Sequence, residues 1–410
     1  MAPGSSGCDR DVWLLQISSG SSSRRVQSEP FPNLAMLAFD DAQHTTQARA
    51  AAGSASGRRC TASWKKEEDS PRGGPLERRL VPRRRGWCLK LVLLGPPSAA
   101  AVRIERDLVD HQVVDHVERV SDPSELSAEA DLVVSVLEGQ QEVDEATRAL
   151  RSGARHLSAT FAPELAQALG GVTGPGTVVL TGWSPGLTSL LAVAAAEEVK
   201  APTGVRIAWT NSCQGPEGPM ALRAAAEALS ASAVVFDGAR WRRERSGSHP
   251  ESVHFPPPLG WMKTHLSASS ESGLLPSRID SLQWVRVQGG IAEPAASAIA
   301  RIASRQNAGA LAGALLKRFG TLGAGSRGQG GIGWSAVRAD AFGASGEVAT
   351  LGVLDRWINM VAATVTTTVE LLKAEENLPS GVCLPTDFCS SEVMLSAIRS
   401  KGVVTARLVR

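Results

Sequence analysis

Apolar residues fall into two successive regimes along this 410-residue chain, and the first begins at Leu89. Residues 89–94 are nearly all apolar and are closed by Gly95, the pattern of a strand buried on both faces. Ala101, Ile104 and Leu108 then recur at helical spacing, predicting a helix over 98–110. Strands are predicted over 113–120 and 131–137, with a capped turn at 121–125 where a side-chain acceptor precedes Pro123. A helix over 143–151 should stop at Gly153, because glycine suits a left-handed cap. Short strands at 155–158 and 178–180 follow, and then a helix from Leu187 to about Val199. Strands alternating with helices through short links predict an α/β fold with a doubly wound parallel sheet.

Past residue 200 the pattern changes. Strands at 205–210, 233–236, 253–255 and 284–287 predict a largely antiparallel sheet, with helices at 220–229 and 292–305 beside it. Residues 334–342 and 347–355 alternate like a hairpin around Gly343-Ala344-Ser345-Gly346. Glycine-rich 320–333 is expected to be a loop. Val361, Val365, Val369 and Leu372 mark a long helix over 358–374, although the β-branched Thr366-Thr367-Thr368 cluster opposes it. Residues 1–85 are rich in Ser, Gly, Arg, Ala and Pro and keep no sustained period, so they read as a disordered or loosely structured extension. Residues 31–39 could form a short helix within it. The expected organisation is 1–85 extension, 86–200 parallel-sheet domain, 201–357 inserted α+β domain, and 358–410 helices returning to the first domain.

Composition narrows the chemistry. A net charge of +2 gives no reason to expect nucleic acid or an anionic membrane as partner, and the basic residues between Arg58 and Arg85 read as a solvated tail. Cysteines 8, 60, 88, 213, 383 and 389 show no C-x-x-C and no Cys/His ligand spacing. No metal site, no disulfide scaffold and a reduced, cytoplasmic setting are therefore expected. No apolar run approaches the ~20 residues that span a bilayer, and Val12-Trp13-Leu14-Leu15 is too short for a secretory core. The chain contains no tyrosine, which excludes the short-chain dehydrogenases and their Tyr-x-x-x-Lys relay. Any proton must move through His, Lys, Asp, Glu, Cys or water.

Two turns carry candidate chemistry. Gly182-Trp183-Ser184-Pro185-Gly186 stands between a strand and a helix and matches G-x-S-x-G, the nucleophile elbow of serine hydrolases. That elbow uses the backbone N–H of the residue after the serine, and Pro185 has none; losing one oxyanion donor costs ~100- to 1,000-fold in rate. The alternative is a helix start, with proline at the first helical position and glycine admitting a ligand or a second backbone. The other turn, Leu94-Gly95-Pro96-Pro97-Ser98-Ala99-Ala100, stands where dinucleotide folds carry G-x-G-x-x-G/A. Gly95 and Ala100 fit, whereas Pro97 replaces the glycine that lets the main chain approach a pyrophosphate. Asp115, twenty positions after Gly95, is placed to hold a ribose hydroxyl or is simply solvated.

Taken in order, these segments resemble the saccharopine dehydrogenase family of NAD(P)-dependent oxidoreductases over residues 88–410. Val117-Glu118-Arg119-Val120-Ser121-Asp122 is followed by Pro123-Ser124-Glu125-Leu126 and by the strand Asp131-Leu132-Val133-Val134-Ser135. The helix end and strand Ala149-Leu150-Arg151-Ser152-Gly153-Ala154-Arg155-His156-Leu157-Ser158 come next. The Pro-Gly turn at 182–186 leads into Leu187-Thr188-Ser189-Leu190-Leu191-Ala192, and the chain closes on Gly381-Val382-Cys383-Leu384-Pro385 with a helix over 391–399. The resemblance implies a Rossmann-like doubly wound sheet with an inserted α+β domain that shapes the substrate site and often a dimer surface, so a homodimer is the expectation. It implies NAD or NADP as cofactor and a small amino-acid-like substrate. Gly95, Ser98, Asp115, Asp122 and Ser135 become the cofactor-binding positions, and Ser184, Pro185, Gly186 and Asn211 the substrate-binding ones. His156 and Ser158, which stand where the family has Tyr-x-Asp, become the catalytic candidates, or else exposed strand-end residues. A non-catalytic Rossmann-like interaction module that has lost tight cofactor binding is the alternative.

In the second domain Arg240, Arg242, Arg243, Arg245 and Lys263 lie near His249, His254 and His265, a set able to recognise carboxylates. Phe255-Pro256-Pro257-Pro258-Leu259-Gly260-Trp261 reads as a rigid loop rimming a cleft or as a polyproline ligand.

Overall fold

The computed structural model describes residues 12–16, 89–127, 129–160, 165–214, 218–293, 333–375 and 378–409. Its first element corrects an expectation. Residues Val12–Gln16 are strand β1, not part of an unstructured tail, and pair antiparallel with the last strand, with Val12 opposite Val409. The residues read as helices over 31–39 and, from 294 on, over 292–305 lie outside the described ones, as does 320–332 of the glycine-rich loop.

The parallel sheet forms where the apolar runs stand. Strand β2 (Leu91–Leu94) is followed by helix α1 (Ala99–Asp110) and β3 (Val117–Val120), which is shorter than expected because 113–116 are not extended. Then come β4 (Leu132–Ser135), helix α2 (Gly139–Ser152), β5 (Arg155–Ser158), the short helix α3 (Leu165–Leu169) and β6 (Thr177–Leu180). Together with the late strand β15 (Gly381–Cys383) they form a six-stranded sheet in the order β15-β6-β5-β4-β2-β3, every pair parallel. Helix α2 starts four residues earlier than its apolar stripe suggested and ends at Gly153, whose φ of +82° is the left-handed cap anticipated for it.

Helix α4 (Leu187–Glu197) is mostly apolar and buried on nearly every side, and its packing explains why. Leu187, Leu190 and Leu191 share one core with Leu93, Val134 and Val179 of the parallel sheet and with Val205, Ile207 and Val337 of the second sheet. It is the helix between the layers.

The second sheet begins at β7 (Pro202–Asn211), from which helix α5 (Gly218–Ser230) leads onward to β8 (Ser232–Asp237) and β9 (Arg240–Arg245). Hairpin β10 (Glu251–Phe255) and β11 (Gly260–Leu266) follows, then helix α6 (Glu271–Leu274) and β12 (Trp284–Ile291). The expected hairpin is β13 (Ser335–Gly343) and β14 (Val348–Asp355). Helices α7 (Trp357–Ala374) and α8 (Ser391–Ser400) precede β16 (Val404–Val409). The order is β1-β16-β14-β13-β7-β12-β11-β10, with β8 on the start of β12 and β9 on β8. Pairing is antiparallel except between β7 and β12. The C-terminal segment serves both halves, since β15 extends the parallel sheet and β16 extends the second one.

The whole is a Rossmann-like α/β fold with a second, mixed-sheet domain. Among the described residues no helix is long and apolar enough to cross a membrane.

Candidate active site

All six parallel strands end on one edge, the edge where ligands of doubly wound sheets bind. Its backbone ladder continues one residue past the strands: Val136 N–H donates to Leu94 O at 2.8 Å, Ala159 N–H to Ser135 O at 2.9 Å and Thr181 N–H to Ser158 O at 2.8 Å. The turn after β2 and the turn after β6 both open here. They are three strand spacings apart, about 14 Å.

At the first turn Gly95 has φ +130°, and a Cβ there would lie 2.8 Å from Val136 Cγ2. Its N–H is taken by Val120 O at 2.9 Å. Pro96 and Pro97 are exposed and bring no N–H. Ser98 caps α1, its Oγ accepting from Ala101 N–H at 3.1 Å. Among the described residues the N–H groups of Ala99 and Ala100 have no partner.

Leu94 lies beside Val120 in parallel register, so the residues following β3 share the edge with Gly95. Asp122 is there, exposed, its Oδ1 accepting from Ser124 N–H at 2.8 Å. That N–H, with the Ser124 side chain, holds its carboxyl below the ordinary range. Asp115 is a correction. It precedes β3 and sits beyond the amino edge, more than about 13 Å along the strand direction from Gly95, at the end opposite anything held at the carboxyl edge.

Ser135 and His156, expected as cofactor and catalytic groups, are brought together by a residue the sequence reading missed. Glu142 of α2 is 0% exposed, accepts from Ser135 Oγ and lies 3.0 Å from His156 Nε2. Ser135 Oγ also accepts from Leu137 N–H at 3.2 Å, which fixes the loop after β4. His156 pairs with Val133 and Val178 in mid-sheet and is 1% exposed beneath α2, so it neither faces the edge nor meets solvent. That corrects both readings made of it. Ser158, also buried, is at the end of β5 with Oγ 3.4 Å from Thr160 Oγ1. A signal for Glu142 was present, since it occupies the same helical stripe as Ala146, Ala149 and Leu150.

The turn at 182–186 is a helix lead-in, with differences from expectation. Pro185 precedes the helix, and Gly186 with φ +137° is its N-cap. A Cβ on Gly186 would lie 2.3 Å from Gly182 O, and one on Gly182 would lie 2.3 Å from Thr160 O, so the glycines admit backbone. The whole turn is buried, Trp183 and Ser184 at 1% and 0% exposure. Ser184 Oγ donates to Glu271 at 2.9 Å to Oε1 and 3.1 Å to Oε2; Thr188 Oγ1 and Ser269 Oγ donate to the same carboxylate. Ser184, Pro185 and Gly186 therefore do not line an open cleft. A hydroxyl committed to a buried carboxylate, with no histidine bonded to it among the described residues, is not the serine of a hydrolase.

From the second sheet, α5 reaches the edge through Arg223, whose Nη1 is 3.0 Å from Glu138 Oε2 at the start of α2. Before α5 stand Asn211, 2% exposed with Oδ1 unpartnered, and the group Ser212, Cys213 and Glu293 at the ends of β7 and β12. Glu293 accepts from Ser212 Oγ at 2.5 Å and from Cys213 N–H and Sγ at 3.0 and 2.9 Å. Burial, then the bond and charge of Glu293, push the Cys213 thiol far above its ordinary range, so it is a proton-bearing group rather than a nucleophile. Cys213 and Glu293 were not anticipated, because their pairing joins residues 80 apart.

The basic and histidine residues between 240 and 265 do not converge. His249 Nε2 meets Glu244 at 3.1 Å, His254 stacks on Trp261 with centroids 5.0 Å apart, and His265 is buried in β11. The proline run is the turn of the β10–β11 hairpin. Among the described residues no group of three or more His, Cys, Asp or Glu could hold a metal ion.

No family model and no curated protein matches this chain. Among solved structures, saccharopine dehydrogenase (L-Glu forming) from Saccharomyces cerevisiae is similar at 12% identity, covering 78% of this chain and 99% of that one with a TM-score of 0.48. A myo-inositol dehydrogenase from Corynebacterium glutamicum is similar at 12% identity, 76% and 94% coverage and TM-score 0.33. Biliverdin reductase from Synechocystis sp. gives 12%, 77% and 97%, and 0.27. None reaches an identity or superposition that carries family or activity over to this chain.

Proposed function

We propose that the chain is a nicotinamide-dinucleotide oxidoreductase with its cofactor along the carboxyl edge of the parallel sheet. The observation that supports it is the exposed ledge formed jointly by the Gly95 turn and Asp122. The residues fit the group: Gly95, at φ +130°, lets the chain turn closely against Val136 into the helix start, Ala99 and Ala100 offer two N–H groups there, and Asp122 offers an ionised acceptor. Bound there, the nicotinamide would supply the hydride chemistry. Asp122 would accept from a ribose hydroxyl, and with Glu125 beside it the ledge repels a 2′-phosphate, favouring NAD over NADP. The substrate would be an amino-acid-like amine or imine, with the partly exposed Cys213–Glu293 pair holding a proton for it.

A second reading rests on Pro96 and Pro97, which remove two amides from the phosphate turn, and on the buried turn at 182–186. In it the chain is a Rossmann-like module that no longer holds a dinucleotide tightly. NADH fluorescence decides, because Trp183 is too buried to report directly. Saturable enhancement with the natural chain supports the first reading. Enhancement that appears after Pro97→Gly alone supports the second. No enhancement in either chain at millimolar NADH removes dinucleotide binding altogether.

A further inference from the structure

A groove of about 910 Å3 lies between the two halves of the molecule and shares no lining residue with the ledge of Gly95 and Asp122. One wall is α3 with Gln167, and the other is the β8–β9 hairpin with Val234, Trp241 and Arg243. Its floor is the segment around Ser269 and Leu274, so it adjoins the Glu271 carboxylate that holds Ser184. The volume is that of a small-molecule site.

Three features distinguish this groove from an ordinary basic hairpin. Trp241 is 59% exposed yet fixed: its indole N–H donates to Ser272 O at 3.2 Å and its ring packs on Phe236, centroids 5.0 Å apart. A flat apolar surface held in place needs little ordering when a ligand stacks on it. Arg243 is exposed and has no ion-pair or hydrogen-bond partner among the described residues, whereas Arg242 is paired with Asp237. Among the described residues no aspartate or glutamate lines the groove, so none of them competes inside it for the Arg243 guanidinium.

We propose that this groove binds a small organic anion with a flat apolar body, an aromatic carboxylate in the simplest case. The ring stacks on Trp241 and the carboxylate takes the Arg243 guanidinium. This does not depend on the oxidoreductase reading.

Calorimetric titration of the full chain tests it with 2-naphthoate and the uncharged 2-naphthalenemethanol. Naphthoate should bind saturably at one site, at least tenfold tighter than the alcohol. Arg243→Gln and Trp241→Ala, both at exposed positions, should each weaken naphthoate about tenfold, and Arg151→Gln on α2 should not. Equal affinity for the two compounds overturns the proposal. So does unchanged naphthoate binding in both groove variants, or no saturable binding at millimolar concentration.

Discussion

Ser184 Oγ and Glu271 Oε1 lie 2.9 Å apart across the seam between the parallel sheet and the second domain. Both residues are 0% exposed, and the carboxylate is satisfied by hydroxyls from Ser184, Thr188 and Ser269 rather than by a cation. Removing it would take the acceptor from three buried hydroxyls, of which Thr188 keeps Trp183 O at 3.0 Å and Ser269 keeps the Glu271 N–H at 3.1 Å. Glu271→Ala is therefore expected to destabilise the chain by about 3 kcal/mol or more, and Ser184→Ala by about 1.5–3 kcal/mol. Urea unfolding of both single variants and the double variant should show a coupling of about 1 kcal/mol or more. Additive losses would show that the two residues act separately.

Glu142 and His156 make a second buried pair, at 3.0 Å beneath α2. Glu142→Leu alone strands both His156 and the Ser135 hydroxyl, and should cost about 1–3 kcal/mol for each. Replacing both residues by leucine removes the stranded imidazole and leaves only the Ser135 hydroxyl without its acceptor, so the double variant should recover part of that loss in denaturant unfolding.

Thr366 and Thr367 of α7 are 0% exposed with unpartnered hydroxyls, whereas Thr364 and Thr368 donate to carbonyls one turn back at 2.8 Å. Thr367→Val keeps the shape and removes an unsatisfied group. Thermal unfolding should show a gain of about 1 kcal/mol, while Thr368→Val should show none.

Asp340 sits between Arg206 Nη2 at 2.7 Å and Arg338 Nη2 at 2.8 Å in the second sheet. Burial opposes its ionisation, but Arg338 and Arg206 outweigh that and hold its carboxyl below the ordinary range. Near the ordinary carboxylate pKa of about 3.9 the unfolded chain then binds more protons than the folded one, so this contribution is present above that pH. It is lost as the pH falls further, through the depressed folded value. Asp340→Asn should lower stability at pH 7 by about 3–5 kcal/mol and flatten the acid limb below pH 4 in pH-dependent unfolding.

Much of the parallel sheet was legible, because strands buried on both faces print apolar runs and α1 and α7 print a helical stripe. Strand β9 was not, since Arg240-Trp241-Arg242-Arg243-Glu244-Arg245 is exposed on both faces and is held by its backbone pairing with β8. Nor was the role of Glu271, which stands in a serine-rich stretch and meets Ser184 from 87 residues away. Asp115 misled because a spacing counted along the chain ignores which end of the strand a residue occupies. Asp122, after the strand, is at the end that matters.

The central claim rests on the ledge of Gly95 and Asp122, and calorimetric titration of NADH into the natural chain and Asp122→Ala tests it most directly. The account predicts saturable binding to the natural chain, weaker binding of NADPH, and a loss of about tenfold or more for NADH on removing the carboxylate. Identical NADH affinity in the two proteins, or no heat from either at millimolar cofactor, would contradict it.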